Sequence, residues 1–152
     1  MSPDLRLWLT SNGFDGESAD CQRGGWTPLL RASGQGKTEV VRELIAEGAQ
    51  LNATSPDGNN AVWLAAAAHN LDCVTLLAAS GVDINHRNPD GATALIYAAS
   101  SGKDEVIALL LRLGADPSPE TIDGFTALDL ASTPRCLRLL LSEDRQGGRD
   151  AP

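Results

Sequence analysis

A period of 33 residues runs through most of this chain and restricts the folds that it can adopt. Two rows of glycines keep this spacing: Gly25, Gly58, Gly91 and Gly124 in one row, and Gly48, Gly81 and Gly114 in the other. An aspartate directly precedes each of the last three glycines of the first row. Internal periods of roughly 20 to 50 residues are typical of architectures in which each unit packs against its neighbours along the chain. The sequence therefore predicts a repeat fold.

Each unit carries signals for two helices. In the first unit, Thr27-Pro28 indicates a helix start, because proline is tolerated in the first turn of a helix. Apolar residues on one face of residues 38–46 predict a second helix, and Gly48 follows as the left-handed residue that often ends one. The next unit is reached through the turn Ser55-Pro56-Asp57-Gly58, in which we expect the aspartate to bond its own backbone.

These signals divide the chain into six segments. Ser2-Pro3-Asp4 predicts the start of an early helix and Gly13 its end. In the last unit the loop between the helices is three residues shorter, and the run after Leu141 is polar and rich in glycine. The segments are an N-terminal capping helix and linker (1–24), repeat 1 (25–57), repeat 2 (58–90), repeat 3 (91–123), a shortened C-terminal repeat (124–141) and a disordered tail (142–152).

The chain resembles the ankyrin-repeat family, whose unit carries a Thr-Pro-Leu-His-x-Ala signature. Thr27-Pro28-Leu29 and Ala32 match this signature, and its Thr, Leu and Ala recur in later units as Thr93, Leu95, Ala98, Thr126, Leu128 and Ala131. The histidine position departs from it and holds Leu30, Trp63, Ile96 and Asp129. The resemblance covers about residues 25 to 141. It implies an all-α fold, an ankyrin-repeat solenoid of paired antiparallel helices with β-turn fingers.

Composition narrows the classes of function. The 152 residues carry a net charge of −8, which argues against nucleic-acid binding, because that requires a basic surface, and favours a partner with a basic surface. No stretch approaches the roughly 20 apolar residues of a membrane span, and Met1 to Thr10 shows no signal-peptide pattern. Three cysteines form no disulfide framework. We therefore expect a cytoplasmic protein, monomeric and without membrane or nucleic-acid partners.

Gly34-Gln35-Gly36-Lys37-Thr38 suggests a phosphate-binding loop, and nucleotide or small-ligand binding through it is the alternative function. The motif requires a further glycine where this chain has Arg31, and a strand before it. Gly36 also stands in the same phase of the repeat as Gly102, so the repeat accounts for it without a nucleotide. We therefore expect no cofactor.

A regulatory metal or redox protein using Cys21, His69 and His86 is a third hypothesis, although no ligand set converges at metal-binding spacing. Cys73 and Cys136 stand at apolar positions of the repeat and are expected in the core. The sequence contains no nucleophile and base in a recognisable catalytic arrangement. We therefore expect no catalytic residue, no metal and no enzymatic activity.

The resemblance implies a protein–protein interaction module that binds a partner on its concave surface of fingers and first helices, as a regulator, inhibitor or scaffold. The position after the finger glycine holds Trp26, Asn59, Ala92 and Phe125. The aromatics at this position are either interface hot spots or covers for the ends of the stack. Trp63, at the histidine position, is expected in the core. The candidate partner-binding residues are Arg23, Trp26, Asn59, Arg87, Asn88 and Phe125.

Overall fold

A computed structural model describes the backbone of residues 1–150 and the side chains of residues 1–142. In this part of the chain the regular structure is helical, apart from one isolated bridge between Arg23 and Trp26. The helices are α1 (Pro3–Ser11), α2 (Pro28–Gly34), α3 (Thr38–Ala46), α4 (Ala61–Ala67), α5 (Leu71–Ala79), α6 (Ala94–Ser100), α7 (Asp104–Arg112), α8 (Ala127–Leu130) and α9 (Pro134–Asp150). The predicted all-α class is confirmed. None of these helices is both long and apolar enough to cross a bilayer.

The chain forms two compact units. The first unit, Met1–Asp83, contains α1 to α5, and the second, Ile84–Pro152, contains α6 to α9. Each unit buries its own leucine-rich core between its helices. The largest fully buried side chains are Leu5, Leu9, Leu29, Leu30, Leu44 and Leu77 in the first unit, and Leu95, Ile107, Leu110 and Leu140 in the second.

The first helix of every repeat starts with the same local device. A side-chain oxygen at the N-cap accepts a hydrogen bond from the backbone N–H three residues later, which satisfies a donor that the helix leaves unpaired. The N-cap residues are Thr27, Asn60, Thr93 and Thr126, each 33 residues after the last. In the shortened repeat, the Asp129 carboxylate also accepts from the Thr126 N–H at 2.9 Å, which completes a capping box. The departure from histidine at position 129 thus supplies a cap.

A finger turn precedes each of these first helices. In the second, third and fourth fingers (residues 55–59, 88–92 and 121–125) the first residue donates its N–H to the carbonyl of the fifth. The side chain that accepts hydrogen bonds from the backbone N–H groups of the turn also belongs to this first residue. The sequence predicted that the aspartate before the glycine would play this role. Asn88 Oδ1, for example, accepts from the N–H groups of Asp90 and Ala92 at 3.0 and 2.9 Å. The corresponding side chains are those of Ser55 and Thr121.

The first finger (residues 23–26) is shorter than the others. Arg23 and Trp26 exchange two backbone hydrogen bonds of 2.9 and 3.0 Å, so only Gly24 and Gly25 lie between the paired residues. Both glycines have positive φ, +58° and +82°, as a type I′ turn requires. Two consecutive residues at positive φ explain why this finger contains two glycines where the others contain one.

The last repeat differs most from the others. Its first helix, α8, has four residues, and its second helix, α9, continues through Asp150. The helix therefore includes residues 142–150 of the segment that we expected to be a disordered tail, and residues 151–152 lie outside the described part. A physical reason for the continuation is that Glu143, Arg145 and Gln146, directly after the leucine-rich turn, belong to residue types with high helix propensity.

Candidate functional site

The first finger presents a tryptophan that is already covered by its own unit. Trp26 is half-buried, and the guanidinium carbon of Arg31, on α2, lies 4.5 Å from the centroid of its rings. Such a cation–π contact is worth about 0.5 to 1 kcal/mol at an exposed site. One face of the indole is therefore occupied within the unit, which leaves Trp26 less surface for a partner than its finger position suggests.

Arg23 points back to the helix before it. Its guanidinium Nη1 donates to the carbonyl of Gly13 at 2.8 Å, just after the end of α1. The guanidinium also fills the space beside Gly13 that a side chain there would require, since a Cβ would clash with Nη1. This side chain ties the first finger to the end of α1. Its contact with a partner stays a prediction.

Asn59, in the second finger, is only 8% exposed. Its backbone N–H donates to Ser55 Oγ at 3.3 Å, and its backbone carbonyl accepts from the Ser55 N–H at 2.9 Å. A side chain so covered offers a partner little area. The structure therefore places this predicted contact residue within the turn. Trp63, in the first turn of α4, is half-buried.

Arg87 and Asn88 stabilise the third finger, which belongs to the second unit. The Nε of Arg87 donates to the Gly91 carbonyl at 3.3 Å, and its Nη2 donates to the Glu120 carbonyl. The Asn88 side chain accepts the two backbone hydrogen bonds that close the turn. Both residues thus hold backbone in place, and Arg87 connects the third finger to the residue preceding the fourth.

The fourth finger is the most exposed apolar feature of the second unit. Phe125 is 48% exposed, and Ile122, in the same turn, is 72% exposed. Ile122 is not among the contact residues that the sequence predicted. The available signal was that an apolar residue stands where the two preceding units have Pro56 and Pro89. Ile122 and Phe125 both lie on the fourth finger, with Asp123 and Gly124 between them in the sequence.

The surface around the fourth finger is acidic. Glu120, Asp123 and Asp129 are all exposed, and no lysine or arginine occurs between Arg112 and Arg135. A cavity of about 300 Å³ also lies in this unit, beside α8 and α9. It is lined by Pro117, Ser118, Thr126, Leu128 and Leu140. The second unit thus combines exposed apolar side chains with negative charge.

The glycine-rich loop between α2 and α3 uses its backbone N–H groups within the repeat. The N–H groups of Gln35, Gly36 and Lys37 donate to carbonyls of α2, namely those of Arg31, Ser33 and Ala32, at 3.0 to 3.1 Å. A phosphate-binding loop needs its N–H groups directed at the phosphate. In this conformation those three donors are not available for one, so the geometry favours the repeat interpretation of the loop.

All three thiols have a raised pKa, with burial as the main cause. The pKa of the Cys73 thiol is raised to about 11. The pKa of the Cys136 thiol is raised by burial and also by the neighbouring Asp104 carboxylate, and the pKa of the Cys21 thiol is raised as well. Cys73 and Cys136 are buried in the cores, as predicted. Within the described residues no group of three or more His, Cys, Asp or Glu side chains is placed to hold a metal ion.

His69 occupies a backbone conformation that usually requires glycine. Its φ is +55°, and the residues in the same phase of the first and third repeats are Gly36 and Gly102, at +67° and +68°. The His69 side chain is exposed at the end of α4, whereas His86 is half-buried in the loop after α5. The repeat therefore accounts for the left-handed backbone conformation of His69.

Comparison with known proteins gives one family. The family model described as "Ankyrin repeats (3 copies)" matches residues 3–88 and, in a second match, residues 66–150. The two matches overlap and together span nearly all of the chain. A search of curated proteins finds no match.

Proposed function

This chain belongs to the ankyrin-repeat family, and we propose on that basis that it binds a partner protein through its fingers and first helices, as a regulator, inhibitor or scaffold. Ankyrin repeats are in general protein–protein interaction modules. The observation that best supports the proposal for this chain is the exposure of Phe125 on a finger turn, because large exposed aromatic side chains are enriched among interface hot spots.

The proposal assigns the protein no catalytic role. The thiolate is the nucleophilic form of cysteine, and the pKa of each of the three thiols is raised, which keeps them protonated near neutral pH. All three cysteines are free, which suits the reducing cytoplasm. We propose a cytoplasmic protein, and further propose that it is a monomer that forms a complex with a partner whose surface is basic.

Affinity capture with the full chain as bait tests this function. The wild type and a Trp26→Ala/Phe125→Ala variant are each incubated with cytosolic extract, and the retained proteins are compared by quantitative mass spectrometry. We expect at least one protein that the wild type retains and the variant loses. A Leu7→Ala variant is the matched control, because Leu7 is an exposed apolar residue on α1 and is not part of any finger.

If the wild type and the double variant retain the same set of proteins, the proposal that the partner binds through the fingers is contradicted. Circular dichroism and thermal unfolding of all three proteins verify that a lost partner does not reflect a lost fold. The two aromatics lie in different units, so the single variants Trp26→Ala and Phe125→Ala then show which finger carries the contact.

A further inference from the structure

We propose that the fourth finger, residues 121–125, is the main contact of this protein, and that it binds a segment of the partner in which a large apolar side chain is flanked by lysine or arginine. This inference rests on the proposed function. It extends that function by choosing one finger over the others and by specifying the chemistry of the segment that the finger recognises.

The apolar part of the recognition comes from Ile122 and Phe125. Their exposed fractions of 72% and 48% mean that much of their apolar surface is in water in the free protein. Removing such surface from water is the main favourable term in most protein association. Ile122 and Phe125, both exposed on one turn, are therefore the apolar patch that a partner's apolar side chain can cover.

The backbone under this patch is held in place by hydrogen bonds. Thr121 donates its N–H to the Phe125 carbonyl at 2.9 Å, and its Oγ1 accepts from the Phe125 N–H at 3.2 Å. The Ile122 N–H donates to the carbonyl of Asp90, in the third finger, at 3.0 Å. A patch ordered before binding loses less conformational entropy when the partner docks, which favours affinity.

The charge of the surrounding surface selects the partner. Glu120 and Asp123 flank Ile122 within two positions, and Asp90, whose carbonyl pairs with Ile122, carries a third exposed carboxylate. Arg87, the nearby cation, directs its guanidinium at the carbonyls of Gly91 and Glu120. Electrostatic complementarity therefore favours lysine or arginine beside the apolar anchor and disfavours acidic or phosphorylated segments.

The first finger differs on both counts. Trp26 is half-buried, and one face of its rings is covered by Arg31, so less apolar area is left for a partner. The residues around it, Arg23 and Arg31, are cationic rather than acidic. A segment with an apolar residue between basic residues is thus matched by the fourth finger and not by the first.

Selection from a displayed library of random peptides on the immobilised full chain tests the proposal. Selections are run in parallel on the wild type, on Ile122→Ser/Phe125→Ser, on Trp26→Ala and on Leu7→Ser, which is the control for a lost exposed leucine. Serine at positions 122 and 125 leaves the backbone hydrogen bonds of the turn in place. We expect peptides enriched on the wild type to carry a large apolar residue with lysine or arginine within about three positions.

The affinity of one such peptide is then measured by fluorescence anisotropy. We expect the double serine variant to bind about tenfold more weakly or worse, and Leu7→Ser to bind as the wild type does. Asp123→Asn should weaken binding severalfold, because it removes a negative charge at the rim of the contact. It should also make binding less dependent on salt, since salt screens the attraction between exposed charges. Asp57→Asn is the matched control, since Asp57 has the same place in the second finger.

Enriched peptides without basic residues, or no enriched motif at all, would overturn the proposal. Peptides lost on Trp26→Ala but retained on Ile122→Ser/Phe125→Ser would overturn it too, while the proposed function would stand with the first finger as the contact. If affinity capture with the wild type and the Trp26→Ala/Phe125→Ala variant also shows no difference, both the function and the inference fail.

Discussion

The guanidinium of Arg87 donates a hydrogen bond to the backbone carbonyl of Glu120, which lies one repeat period of 33 residues further along the chain. The same side chain also donates to the Gly91 carbonyl, so one arginine joins the third finger to the segment that enters the fourth. A second tie between these fingers is the bond from the Ile122 N–H to the Asp90 carbonyl. The proposed binding patch is therefore supported from the neighbouring repeat.

Replacing Arg87 by alanine should loosen the fourth finger. Because the variant loses two hydrogen bonds from a charged donor in an exposed setting, we expect it to lower the free energy of unfolding by about 1 kcal/mol. Native-state hydrogen exchange should become faster at the amides of Ile122 and Gly124. Arg112→Ala, which removes an exposed arginine at the end of α7, is the control. Unchanged exchange at both amides would mean that the arginine does not support the finger.

Gly91 approaches its neighbour so closely that any side chain should be costly. Its φ is +76°, and a Cβ there would lie 2.9 Å from the Glu120 carbonyl oxygen. Gly124 has a similar φ of +84° but nothing within 4 Å of its Cβ position. Gly124→Ala therefore measures the conformational cost alone, about 1 to 2 kcal/mol. Gly91→Ala should cost about 1 to 3 kcal/mol more, because of the close approach. Urea unfolding of both variants gives the difference, and equal losses would contradict the close approach.

Ser33 carries a buried hydroxyl whose polar neighbour is the Cys73 thiol. The residue is fully buried on α2, and its Oγ has no well-formed hydrogen bond to any described residue. The same phase of the next two repeats holds alanine, Ala66 and Ala99, both fully buried. Leaving a buried polar group unpaired costs about 1 to 3 kcal/mol. We therefore expect Ser33→Ala to raise the free energy of unfolding by about 1 kcal/mol.

The reverse change, Ala66→Ser, is the matched control for Ser33→Ala. It places a hydroxyl at the equivalent buried site and should lower the stability by a similar amount, about 1 kcal/mol. Both variants are measured by urea unfolding monitored by circular dichroism. A loss of stability in Ser33→Ala would show that the hydroxyl makes a favourable contact, for which the Cys73 thiol is the nearby candidate.

Acid should weaken the attachment of Ser2 to α3. Hydrogen bonds from the Ser2 Oγ at 2.9 Å, and from its N–H at 2.6 Å, lower the pKa of the Glu43 carboxyl. Because the pKa is lower in the folded state, this stabilisation is present above the ordinary glutamate pKa and is lost as the pH falls through the folded value. The melting temperature of the wild type should therefore fall more steeply than that of Glu43→Gln between about pH 5 and pH 3. Parallel curves would contradict the prediction.

The features that sequence analysis predicted are those that short segments determine. The helix starts depend on N-cap residues such as Thr27 and Thr93. The finger turns depend on a glycine that accepts positive φ, as at Gly91. Both signals recur every 33 residues, so each copy supports the others. The helix starts and finger turns therefore followed from local chemistry and periodicity, and the resemblance to the ankyrin-repeat family implied the all-α class.

The roles of the finger side chains depend on distant contacts instead. Arg23 and Arg87 look alike in the sequence, as basic residues near finger turns, yet one bonds the Gly13 carbonyl and the other the Glu120 carbonyl. Asn59 is buried, and Ile122 is exposed, although a simple polarity rule would assign them the other way round. Which side of a turn faces water is decided by the neighbouring repeat, and no local pattern reports it.

His69 offers a direct test of how strongly the repeat period specifies backbone conformation. It is the only described residue other than glycine with a positive φ, +55°, and glycine occupies the same phase in the first and third repeats. A residue with a Cβ in the left-handed region costs about 1 to 2 kcal/mol of stability. Glycine avoids this strain, but it also raises the entropy of the unfolded chain, which offsets part of the gain. We expect His69→Gly to raise the free energy of unfolding by about 0.5 to 1 kcal/mol. His69→Ala keeps the strained φ and removes the imidazole, so it reports what the ring itself contributes. Guanidinium unfolding should therefore rank the glycine variant above the alanine variant, and the opposite order would show that the left-handed conformation costs this protein little.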